Sequence, residues 1–247
     1  MINTKIILNL LFKNIYYIEP MNELYTFPIA LVFFFIPWLI IYIKRKDLRR
    51  RMRLSGAIMT PVTLMEYWCL KDYWNPPGPY FLSYISIENI LFFFLVTGLG
   101  VTVFDFIFKR KNLKLENRKV KLIYMYVILI LLSLVLFTSI LKFNSIMVIS
   151  IFTILYTLFL LTIRKDLAFV SLISGVIITL LFILIYSVLF NFLFPEYWDK
   201  YWLLNHTNLG LKLLGNIPAT ELLWAFSWGS FSGVAYDFAA GYKKASL

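Results

Sequence analysis

Three glutamates stand inside apolar stretches of this 247-residue chain: Glu66, Glu88 and Glu221. A carboxyl group is costly in hydrocarbon, so each one within a hydrophobic segment is a candidate for function. The chemistry such groups offer is proton transfer. A carboxyl shielded by apolar neighbours can keep its proton near neutral pH and act as a general acid, while a second in a wetter setting stays ionised and acts as a base. Glu88 and Glu221 each fall in the first turn of an apolar segment, where a carboxylate also suits the helix dipole. Trp224 and Trp228, four residues apart beside Glu221, lie on or near one helical face with it and are candidate pocket walls. Asp105 and Asp237 sit at segment ends near Lys109, Arg110, Lys243 and Lys244, where structural ion pairing is the expected role.

Other chemistries are poorly supplied. One cysteine, Cys69, and one histidine, His206, form neither an internal disulfide nor a histidine metal cluster, so no metal site is expected. Gly98-Leu99-Gly100 lies within an apolar helical segment and not at a strand-to-helix turn, so no flavin or nicotinamide cofactor is expected.

The elements that must carry the acids are membrane spans. With 61% hydrophobic and 19% aromatic residues and a mean hydropathy of +0.78, the chain is too apolar for a water-soluble domain. Spans of about 20 residues fit near 25–43, 54–70, 84–108, 122–141, 145–163, 167–194 and 217–242. The expected fold is all-α and integral to the membrane, a single transmembrane domain (1–247) of seven helices. The second segment carries Pro61 and Glu66, and the odd total depends on it. Within the first twenty residues a short apolar run is broken by Asn9 and Lys13, which reads as an interfacial segment and not as a signal peptide.

Charge sets the orientation. Of the 24 Lys and Arg, 18 fall after the first, third, fifth and seventh segments and 6 on the other side. The positive-inside rule then places the N-terminus outside and the C-terminus in the cytoplasm, in the plasma membrane. The net charge of +11 reads as topology signals that also meet anionic lipid headgroups, and no nucleic-acid partner is expected.

The chain also repeats itself. Arg45-Lys46-Asp47-Leu48 recurs as Arg164-Lys165-Asp166-Leu167, and the same offset of 119 carries Ser55-Gly56 onto Ser174-Gly175 and Tyr67 onto Tyr186. An offset of 132 carries Ile85 onto Ile217, Leu91 onto Leu223, Phe94 onto Phe226 and Asp105-Phe106 onto Asp237-Phe238. The first three spans (25–110) thus match the last three (145–244), with 122–141 as a linker helix. Repeats of three helices joined by one helix run in the same direction, and a ligand pocket is expected between the halves. The second offset sets Ser86-Ile87-Glu88-Asn89 against Pro218-Ala219-Thr220-Glu221, so each half keeps one acid of a two-position motif. Adjacent helical residues differ by about 100°, so one of Glu88 and Glu221 faces the pocket while the other supports it.

Taken together, Arg49 to Arg53, Glu66-Tyr67-Trp68, Tyr73-Trp74-Asn75-Pro76, the run from Ile85 to Phe94 and the run from Leu214 to Leu223 resemble the lycopene cyclase domain of the bacterial heterodimeric and the archaeal or fungal fused type. The resemblance spans about 25–241. It implies paired three-helix units that cyclise the ends of lycopene to rings of the β-ionone type. The family hallmark is Pro-x-Glu-Glu/Asp at the start of the third helix of each unit. Here Ser86 stands for the proline, Asn89 for the second acid of the first motif and Thr220 for the first acid of the second. Glu88 and Glu221 carry over, and Glu66 falls where the family tends to have an acid. The implied mechanism is redox-neutral and needs no cofactor. Glu88 protonates the terminal double bond, Glu221 serves as base or partner, and aromatic faces of Trp224, Trp228, Phe92 and Phe93 stabilise the cation. Asn89 and Thr220 border the substrate. The implied partners are a lipophilic polyene and membrane lipids; a homo-oligomer is an open option, because the sequence does not name the oligomeric state.

Two rivals stay beside this reading. One is a non-catalytic polyene-binding protein of the same superfamily, rhodopsin-like in architecture; no lysine lies between Ile217 and Tyr242 to hold retinal covalently. The other is a transporter, although the segments show few paired Gly/Pro breaks.

Overall fold

The computed structural model describes residues 23–78, 80, 84–110, 112–114 and 120–244. The interfacial segment expected over the first twenty residues lies outside the described residues. Four helical stretches, Glu23–Lys44, Lys121–Ile140, Ser145–Ile163 and Lys165–Leu193, are long and apolar enough to cross a membrane.

The path begins with α1 (Thr26–Lys44). The second apolar segment is not one α-helix. It runs as α2 (Arg49–Met59), a 3₁₀ turn over Thr60–Met65, and α3 (Glu66–Asp72). Pro61 accounts for the break, because proline lacks an N–H and its ring clashes with the preceding helical turn. The third segment divides into α4 (Ile87–Gly100) and α5 (Val103–Ile107). After β1 (Asn112–Lys114) come α6 (Val120–Ser133), which winds into a π turn at Leu134–Ile140, and α7 (Ser145–Ile163). Next is α8 (Ala168–Tyr186), closing in a π turn at Ser187–Leu193, and the short α9 (Tyr197–Tyr201). A hairpin of β2 (Lys212–Leu213) and β3 (Ile217–Pro218) feeds α10 (Ala219–Ala240). Finally β4 (Tyr242–Lys244) pairs antiparallel with β1.

The centre of the molecule is α10, which packs against α4, α6, α7 and α8. Its serines, glycines, Glu221 and Asp237 dilute its apolar character, and it is buried along most of its length. Such a helix is a core element. Close contact with α8 depends on Gly175, where a Cβ would lie 3.0 Å from the Phe226 carbonyl oxygen. Gly56 lies 119 positions earlier on α2, and a Cβ there would lie 2.8 Å from the carbonyl oxygen of Phe94 on α4. Small residues let helix backbones approach in this way.

The basic ends of α1 and α7 are finished alike. Arg45 pairs with Asp47 at 2.7 Å and Arg164 with Asp166 at 2.7 Å. Each guanidinium also donates to a main-chain carbonyl, that of Arg110 at 3.1 Å and that of Tyr242 at 2.8 Å. Deeper in, Arg51 lies 2.8 Å from an Asp105 oxygen and 2.9 Å from an Asp237 oxygen, with side-chain exposures of 4%, 0% and 0%. The cation between the two aspartates is Arg51 of α2, a partner that the sequence did not suggest. Lys109 stands beyond the end of α5 and is exposed, whereas Arg51 is turned into the core. At the opposite end, Asp72 joins α3 to the start of α7 by accepting from the Ser145 N–H (2.8 Å) and hydroxyl (2.5 Å).

Candidate active site

Between α1, α3, α4, α7, α8 and α10 lies a cavity of about 60 Å³ whose lining includes both Glu66 and Glu221. Each glutamate is 7% exposed. Glu66 is the first residue of α3 and is set there by the turn that Pro61 starts. Glu221 stands in the first turn of α10, whose N-cap is Pro218. The corresponding N-cap of α4 is Ser86, whose hydroxyl accepts the Asn89 N–H at 3.1 Å. A serine at that place thus caps the helix with its side chain, and Asn89 lines the cavity.

The two carboxyls are held differently. One oxygen of Glu221 accepts the Tyr73 hydroxyl and the other accepts the Tyr186 hydroxyl at 3.0 Å. Tyr73 Oη also lies 3.4 Å from Thr220 Oγ1. Glu66 accepts the indole N–H of Trp74 at 3.3 Å. In the loop before α4, burial first and then the nearby Glu66 and Glu88 charges hold the Tyr80 phenol above its ordinary range, and its hydroxyl donates to the Pro76 carbonyl at 2.9 Å.

Aromatic rings form the wall. Phe92 stacks on Trp224 with centroids 5.7 Å apart, and Trp224 stacks in turn on Trp228 at 5.9 Å. Phe93 meets both indoles edge-on at 5.9 and 5.5 Å. Such a surface presents π faces to whatever enters and could stabilise a cation.

Of the residues singled out from the sequence, the cavity brings together Glu66, Glu221, Asn89, Phe92, Phe93 and Trp224. Three others stand back from it. Trp228 is buried behind Trp224, and Thr220 touches Tyr73. Glu88 is half-buried, and its Oε2 has no hydrogen-bond partner among the described residues. A further aromatic group is interior: Tyr73, Trp198 and Trp202 are 2%, 1% and 3% exposed. Tyr73 and Trp198 line the cavity. Sequence reasoning missed Tyr73 and Tyr186 as ligands of Glu221. A signal existed for Tyr73, which follows Glu66 by seven residues and so returns to the same helical face after two turns. Among the described residues no group of three or more His, Cys, Asp or Glu could hold a metal ion.

Fold and site define a helical protein with long apolar helices, enclosing a pair of buried carboxyls behind an aromatic wall. Residues 144–239 match the family model for lycopene cyclase, and this match supports membership of the lycopene cyclase family. The matched segment contains Tyr186, Glu221, Trp224 and Trp228. No curated protein and no solved structure matches the chain.

Proposed function

We propose that the protein is a membrane-embedded cyclase that closes the ends of a linear lycopene-like polyene into β-ionone-type rings without redox change. The observation that carries this reading is the meeting of Glu66 and Glu221 in one aromatic-walled cavity. Ring closure needs a proton added to the terminal C=C, attack of a neighbouring double bond on the resulting cation, and loss of a proton from the adjacent carbon. The product is an isomer of the substrate, so one carboxyl that gives a proton and one carboxylate that takes one suffice. Glu66, with an indole N–H as its donor, gives the proton. Glu221, with a phenol O–H on each oxygen, matches the acceptor, since two donors solvate a carboxylate where water is excluded. Phe92, Phe93 and Trp224 face the cation. Glu88 lies outside the cavity and is assigned no contact with the polyene. A cavity of about 60 Å³ holds a few water molecules, so the end group enters as the stacked rings turn aside.

The same reading takes the chain as seven membrane crossings in two parallel three-helix units. The paired Arg45 and Arg164 clasps and the like contacts of Gly56 and Gly175 support the duplication. The excess of cations at one end supports a cytoplasmic C-terminus and an outside N-terminus. A single cysteine placed at Asn112, in a Cys69→Ser background, is expected to resist membrane-impermeant maleimide in intact cells and to react after lysis. Labelling before lysis would reverse the orientation.

The function itself is tested by incubating membranes with lycopene in heavy water and analysing pigments by chromatography and mass spectrometry. Cyclisation without added flavin or nicotinamide, with deuterium in each new ring, is expected. Unchanged lycopene retained by the protein would favour the binding-protein reading, and a requirement for a redox cofactor would remove the mechanism.

A further inference from the structure

A second cavity, of about 1010 Å³, opens at the basic face where α1 gives way to α2, and five cations line it: Lys44, Arg45, Arg50, Arg51 and Lys109. The rings of Tyr236 and Tyr242 and one acid, Asp47, complete the part that matters. Two of the cations have structural duties. Arg45 is bound to Asp47 and to the carbonyls of Asp105 (2.6 Å) and Arg110 (3.1 Å), and Arg51 lies between Asp105 and Asp237. The side chains of Lys44, Arg50 and Lys109 have no hydrogen bond or ion pair among the described residues.

A topology signal explains charge on this face but not charge at these places. The offsets of 119 and 132 put Ile163, Phe169, Val170 and Gly241 where Lys44, Arg50, Arg51 and Lys109 stand. The clasp itself is kept, since Arg45, Asp47 and Leu48 recur as Arg164, Asp166 and Leu167. The second half therefore holds apolar residues or glycine where Lys44, Arg50 and Lys109 stand, whereas Arg51 has its own structural place between Asp105 and Asp237. The backbone adds a second observation. Lys109 and Gly241 share a left-handed conformation, with φ of 51° and 68°. Glycine adopts it without steric cost and lysine does not, so the first half keeps an ammonium on the cavity at a place where the conformation favours glycine.

We propose that this cavity binds a phosphate-bearing anion, whose oxygens are engaged by Lys44, Lys109 and the guanidinium of Arg50. The anion is either a lipid phosphate at the membrane face or a soluble phosphate or diphosphate. The site is separate from the glutamate cavity and does not depend on the cyclase reading.

The test uses the purified full-length chain in detergent, with binding read by native mass spectrometry. The probes are dioleoylphosphatidylglycerol, dioleoylphosphatidylcholine and inorganic pyrophosphate. The unmodified chain is expected to retain phosphatidylglycerol in preference to phosphatidylcholine. Lys44→Gln, Arg50→Gln and Lys109→Gly together should weaken retention by about tenfold or more, since charge-assisted hydrogen bonds are lost. Lys109→Gly alone relieves the backbone and should weaken retention while the melting temperature holds or rises, which separates loss of the site from loss of the fold. Lys46→Gln with Lys165→Gln, two cations of the same face outside the cavity, should leave retention unchanged. Binding of pyrophosphate but not of the lipid, lost in the triple variant, would assign the site to a soluble anion. Equal loss in the Lys46/Lys165 variant, or no binding of either probe, would overturn the proposal.

Discussion

Glu221→Gln is expected to lower cyclisation by about 10²- to 10⁴-fold, the range for removal of a general acid or base. At about 1.36 kcal/mol per factor of ten this corresponds to roughly 3 to 5 kcal/mol of barrier. Glutamine keeps the volume and can still accept a phenol O–H, but its amide cannot take up a proton at neutral pH, and one of its ends now donates. Because one Glu221 oxygen faces Tyr73 and the other faces Tyr186, one tyrosine must lose its acceptor and turn. Glu66→Gln should fall in the same range, through loss of the proton donor. Glu88→Gln provides the contrast, because Glu88 does not line the cavity, and its effect should stay within about tenfold. Pigment chromatography from a lycopene-producing host measures all three, with protein amount checked by fluorescence-detected size exclusion. A drop for Glu88→Gln as large as for the other two would restore the assignment suggested by the motif. Wild-type rates in both Glu66→Gln and Glu221→Gln would end the carboxyl mechanism.

The second large effect is structural. Arg51→Met removes the guanidinium from between two fully buried carboxylates, and breaking a buried ion cluster by deleting one partner costs about 3 to 5 kcal/mol. Against a typical total of about 5 to 15 kcal/mol, that should leave little folded protein in mild detergent. The expected remedy is counterintuitive. Replacing Asp105 and Asp237 by leucine in the same variant should recover much of the melting temperature, since no buried charge then remains to be solvated. Thermal melting by size exclusion checks this. A single Arg51→Met that melted with the parent would show that the three charges are not a unit. Asp105 and Asp237 reach Arg51 from α5 and α10, so the cluster ties α2, α5 and α10 together.

Much of this was legible in the sequence because long apolar helices obey rules of length and polarity that act locally. Each apolar segment is helical along most of its course, since a backbone shut away from water must satisfy its own hydrogen bonds. The segment at 145–163 coincides with α7, Ser145–Ile163. The acids were found because a carboxyl in an apolar run is conspicuous. The arginine clasps were visible as a repeated Arg-Lys-Asp-Leu. Breaks within segments were harder to read: Pro61 announces one, whereas nothing local marks the gap between Gly100 and Val103.

What the sequence could not decide was which acids share a room. Glu88 and Glu221 occupy adjacent columns of one motif, yet a step of about 100° on a helix turns Glu88 away from the cavity that Asn89 and Glu221 line. Glu66 enters it from α3 because the 3₁₀ turn after Pro61 resets the helix face. Tyr73 and Tyr186 reach Glu221 across 148 and 35 positions of chain, a distance that no periodicity encodes. Arg51 was one cation in a run of several until packing of α2 against α4 and of α10 at the centre gave it two aspartates. Residue type and spacing fix which groups are costly to bury, but only the packed helices determine which of them are buried together.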